Sequence, residues 1–186
     1  MTARAGEPFD VTRATSDAEA ALSAPVPTAG PTTSEGEPAT GEWTATRGEG
    51  FLLLPLWESG ALTGVYGPEW NDAEAAAEAN LTALVTELDR RWGPHRTVSM
   101  RVPLHRSRAG TPLPEPFRTL TAKDCYGDLT VWGPVPPAGP LGGPSAGPPA
   151  VPRWFALSLN QSDGDAPMLI TALVSTRPIT EPADQG

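Results

Sequence analysis

The sequence predicts an α+β fold: a two-layer domain in which an antiparallel sheet of about five to six strands packs on one long amphipathic helix. Three observations lead there. A single long stretch has helical periodicity, several short apolar runs read as strands, and the turns between consecutive strands are short enough to favour antiparallel pairing.

The helix covers about residues 72–92. At 100° per residue, Ala73, Ala77, Leu81, Leu84, Val85, Leu88 and Trp92 fall within an arc of about 120°. Asn71 followed by Glu74 reads as a capping box. Gly93-Pro94 ends the helix, and Arg90-Arg91 suit its negative end.

Phe51 to Trp57 reads as a buried strand, with Pro55 calling for an edge or a bulge. Leu62 to Tyr66 is expected to return as its hairpin partner after Glu58-Ser59-Gly60. Thr97 to Pro103 alternates Val98, Met100 and Val102 with polar residues, as a half-buried strand does. Residues 104–116 read as a Pro-rich connection, with a short helix over Phe117 to Leu120. Leu129 to Trp132, Arg153 to Leu159 and Met168 to Ser175 are the remaining strands, the last two joined by an Asp163-Gly164 turn.

The expected domain therefore spans 43–178. Residues 1–42 read as a disordered acidic Pro/Ala/Thr-rich tail, because few large apolar side chains offset an ordering cost of ~1–2 kcal/mol per residue. Within it, only Val11 to Leu22 has the pattern of a short helix that folds on a partner. Residues 179–186 read as a disordered end. Residues 134–152 hold eight Pro, four Gly and no charge, and read as a structureless insertion.

The run Leu88-Asp89-Arg90-Arg91-Trp92-Gly93, then Leu113-Pro114-Glu115-Pro116, Val131-Trp132, Arg153-Trp154-Phe155-Ala156-Leu157 and Gln161-Ser162-Asp163, resembles a group of small uncharacterised actinobacterial proteins. The resemblance covers roughly residues 81–175. It rests on Trp, Gly and Pro positions, implies a self-contained small domain, and carries over no functional residue.

Composition narrows function. The chain has 186 residues and a formal net charge of −9, which disfavours nucleic-acid and membrane-surface binding. One Cys excludes a disulfide framework and multi-Cys metal sites, and no cofactor is expected. Without an export signal, the expected location is cytoplasmic.

Catalytic motifs are weak. Gly143-Pro144-Ser145-Ala146-Gly147 has the letters of a nucleophile elbow but not the strand and helix around it. Cys125 with His95 or His105 is the one nucleophile–base combination available. Asp163 and Asp165 fit a hairpin turn better than a cation loop.

Charge patterning says more. Residues 69–89 carry six acids and no base; residues 90–108 carry six Arg, two His and no acid. The arginines are expected to pair with neighbouring acids, the other reading being a local patch for an anion or an acidic partner.

The leading functional expectation is a non-enzymatic protein-binding module. An immunity- or chaperone-type partner of a basic protein would use Glu69, Asp72, Glu74 and Glu78. Trp132 and Trp154 are candidate contacts if one sheet face is open. A small enzyme built on Cys125, and a structural scaffold subunit, are the alternatives.

Overall fold

The structure is a computed structural model that describes residues 6–36, 43–135 and 152–183. It is α+β, with four helices and a seven-stranded antiparallel sheet rather than five to six strands. In chain order the elements are α1 (Val11–Ser23), β1 (Thr33–Glu35), β2 (Ala45–Gly48), β3 (Phe51–Glu58), α2 (Pro68–Trp92), β4 (Arg96–Val98), α3 (Arg101–Arg108), α4 (Phe117–Ala122), β5 (Leu129–Val135), β6 (Arg153–Asn160) and β7 (Leu169–Ser175). The sheet order is β1-β2-β3-β7-β6-β5-β4, so an N-terminal and a C-terminal meander meet where β3 pairs with β7.

Both faces of the sheet are covered, which corrects the two-layer expectation. On one face, α1 and α2 cover Leu52, Leu56, Trp132, Phe155, Leu157, Ile170, Ala172 and Val174. On the other, Met100, Phe117, Leu120, Cys125 and Ile179 cover Phe51, Leu53, Val131, Ala156 and Leu173. Every residue of β7 is buried. Apart from Thr171 and Ser175, whose hydroxyls are hydrogen-bonded, it is apolar on both faces, as a strand covered on both sides requires, whereas a strand with one wet face alternates.

The largest correction lies in the N-terminal region expected to be disordered. Asp10 caps α1 by accepting from the Thr12 and Arg13 amides. Ala14, Ala18, Ala21 and Leu22 form its buried stripe. Small side chains let the helix lie close to α2 and the sheet. Three polar ties fix it: Arg153 donates to the Leu22 and Ala24 carbonyls, Arg91 pairs with Glu19, and Trp57 Nε1 donates to the Glu7 carbonyl. The C-terminal end is also folded over part of its length, since Ile179 is buried and Glu181 accepts from the Ser99 amide.

Local corrections follow from chain stereochemistry. Helix α2 begins at Pro68, whose fixed φ suits the first helical position, so Asn71 and Glu74 lie inside the helix and make no capping box. The 62–66 stretch is turn and coil rather than a strand. The strand expected over 97–103 is only β4. At Met100 the chain turns into α3, where Pro103 sits in the first turn and needs no intrahelical acceptor. Pro55 lies at a bulge between β3 and β7, not on a sheet edge, although β2 pairs only with Phe51 to Leu53. Most of the 134–152 insertion, with its Gly143 to Gly147 motif, lies outside the described residues.

An acidic cleft beside the long helix

The N-terminal half of α2 packs Ala77 with Leu62 and Met168, beside Trp70, Ala73 and Leu159. Of its 25 residues only Ala77, Leu84 and Leu88 are buried. Glu69, Asp72 and Glu78 are exposed and Glu74 is half-buried. None of the four has a hydrogen bond or ion pair among the described residues. Most other carboxylates are engaged: Glu7, Asp17, Glu19, Glu35, Glu49, Glu87 and Glu115 with arginines, and Asp10, Asp128, Asp163 and Glu181 with backbone amides. Only Glu69 stands in the first turn, where the helix dipole rewards an acid, so helix stability does not account for the rest.

Glu74 and Glu78 form one wall of a cleft of about 530 Å³. Leu81, Leu159 and Met168 supply apolar lining, and Asp128 and Gln161 stand among the other lining residues. That part of the cleft is held by side-chain hydrogen bonds. Asn160 Nδ2 donates to Ser158 Oγ (2.8 Å) and Thr171 Oγ1 (2.9 Å), and its Oδ1 accepts from the Gly127 amide (2.9 Å). Gln161 Nε2 donates to the Ala166 carbonyl at 2.9 Å. Asp163 accepts from the Asp165 and Ala166 amides, so it holds the turn rather than facing a ligand. Three carboxylates and no base line the cleft. An arginine or lysine fits this chemistry: its stem lies on Leu81 and Met168 while its head meets the carboxylates.

The two tryptophans expected to share a contact surface lie on opposite faces of the sheet. Trp132 pairs across strands with Phe155 and is 1% exposed. It meets Trp92 edge-on at 5.9 Å, and its Nε1 donates to Asp89 Oδ1 at 2.9 Å. Trp154 is half-buried over Gly133, where a Cβ would stand 2.4 Å from the indole. Trp132 is core, and among the described residues the two tryptophans form no shared aromatic patch.

No motif in the sequence marks Asp89. Its carboxylate accepts from His95 Nδ1 at 3.0 Å as well as from Trp132. Burial pushes the Asp89 carboxyl up, but the hydrogen bonds from His95 and Trp132 outweigh that and leave it lowered. Asp89 thus ties the C-terminal end of α2 to β5 and to the chain leaving the helix. Its spacing to His95, six residues across the Gly93-Pro94 stop, was the only available signal.

Cys125 belongs to the opposite core, 1% exposed, with its thiol donating weakly to the Lys123 carbonyl. Burial, with the Asp124 charge, pushes the thiol up to about 12, so it is protonated at neutral pH. His95 is engaged with Asp89 beside Trp132, His105 is exposed on α3, and neither bonds to Cys125. The Cys–His combination is not assembled. Among the described residues, no group of three or more His, Cys, Asp or Glu is placed to hold a metal ion, and no helix is long and apolar enough to cross a membrane.

No family model, curated protein or solved structure matches this chain.

Proposed function

We propose that this chain is a cytoplasmic protein-binding module of the immunity or chaperone type, and that it docks a basic partner in the acidic cleft beside α2. The observation that carries the reading is the run of four α2 carboxylates left without partners, two of them lining a cleft with an apolar floor. Leaving like charges together on one helix costs stability, and a basic partner would turn that cost into affinity. The net charge of −9 would speed the encounter and make it sensitive to salt. A single cysteine, with no disulfide to form within the chain, is the feature behind the cytoplasmic reading. The resemblance over 81–175 to small actinobacterial proteins belongs to the same proposal.

The test is titration with a lysine-and-leucine peptide at low and high salt. Reversing charge in the cleft (Glu74→Lys with Glu78→Lys) is expected to weaken binding by about tenfold or more, ~1.4 kcal/mol. The same change in charge at Glu49 and Glu115, both paired outside the cleft, should have little effect. Equal losses from both variants, or binding indifferent to salt, would count against the cleft.

A further inference from the structure

Eleven of the twelve arginines lie among the described residues, and nine of them are engaged. Arg13, Arg47, Arg90, Arg91, Arg118 and Arg177 pair with carboxylates. Arg96, Arg106 and Arg153 donate to backbone carbonyls. The two that remain, Arg101 and Arg108, stand on the same helix, α3. They are seven residues apart with His105 between them, the spacing that puts all three on one face over two turns. All three are exposed, and none has a carboxylate partner among the described residues.

The face is shaped as well as charged. Val102 and Leu104, both half-buried, line the same open groove of about 510 Å³. The helix beneath is anchored: Pro103 is buried, α3 packs on α4, and Asp128 accepts from the Met100 amide at 2.7 Å. The stripe lies on the side of the sheet opposite α2. In a protein of net charge −9 that pairs its other described arginines internally, two unpaired arginines and a histidine around an apolar groove form an uncompensated surface.

We propose that the α3 stripe is a second docking surface, and that its partner is an acidic segment of another protein carrying a leucine-like anchor. Arg101 and Arg108 would take the acidic side chains, and Val102 and Leu104 the anchor. Two arginines and a histidine beside an apolar pair suit such a segment better than a nucleic acid or a membrane. Those would meet the repulsion of the whole acidic molecule and need a longer basic track. The module would thereby join a basic partner on one side to an acidic one on the other.

The experiment uses the full chain and a synthetic helical peptide with glutamates along one face and leucines at i and i+4. Fluorescence anisotropy at low salt reads the affinity, and circular dichroism confirms that each variant is folded. Arg101→Glu with Arg108→Glu is expected to weaken binding by about tenfold or more. If that pair disturbs folding, Arg101→Gln with Arg108→Gln replaces it. Arg47→Glu with Arg177→Glu makes the same change in net charge elsewhere and should leave affinity within about twofold. Glu74→Lys with Glu78→Lys should not weaken it, which separates this surface from the acidic cleft. The proposal is overturned if the wild-type chain does not bind the peptide. It also fails if the α3 and control pairs weaken binding equally, or if a single-stranded oligonucleotide or a phosphatidylserine vesicle binds as tightly as the peptide.

Discussion

Asp89 accepts hydrogen bonds from Trp132 Nε1, His95 Nδ1 and the His95 amide. Asp89→Ala would leave the Trp132 N–H without an acceptor beneath α2, at a cost of ~1–3 kcal/mol, read as a lower urea midpoint. Because the folded-state carboxyl titrates below its unfolded value, Asp89 contributes stability above about pH 4 that is lost as pH falls through the folded value. Glu58 acts in the opposite sense. It is 5% exposed, its Oε1 has no partner among the described residues, and burial raises its pKa. The folded chain therefore holds that proton more tightly than the unfolded chain. Stability is greatest below the unfolded value and falls as pH rises through the folded one. Glu58→Gln is expected to be more stable than wild type at pH 8, with the difference shrinking at pH 4. Denaturant titrations at the two pH values check this, and an unchanged difference would contradict it.

At the scale of elements, what the sequence made legible depended on side-chain size and on segment length. Helix α2, the short helix α4 and strands β3, β5, β6 and β7 carry large apolar residues at regular spacing, and each appears where the pattern predicts it. Helix α1 carries the same 3.6-residue period and an N-cap, but in alanines, so a reading weighted by large side chains takes it for a tail. The run over 97–103 was too short to separate a strand from a helix start, and Pro103 fits the first turn of α3. β3 and β7 do not alternate strictly between apolar and polar residues, which is the pattern of strands covered on both faces. The α2 acids of the cleft were legible as a charge run. The rest of the cleft was not, because Asp128 and Gln161 reach it only through the folding of β5, β6 and β7. Helix α1 gives a direct check: Leu22, 2% exposed, should cost ~2–5 kcal/mol when changed to Ala, whereas a disordered tail would show no change in thermal or urea unfolding.

For the whole molecule, charge is sorted by face rather than spread evenly. The uncompensated acids stand at one end of α2 and the uncompensated arginines on α3, while the other described arginines are tied within the chain. No shared aromatic patch replaces them as a contact surface, since Trp132 is core. The proposed seat of a basic partner is the cleft beside α2. The most direct measurement is an amide chemical-shift map of the isotope-labelled chain titrated with the lysine-and-leucine peptide. The predicted result is a set of shifts centred on Glu74, Glu78, Asp128 and Gln161 that fades with added salt. Shifts scattered over the surface, or centred away from α2 and the β6–β7 turn, would contradict it.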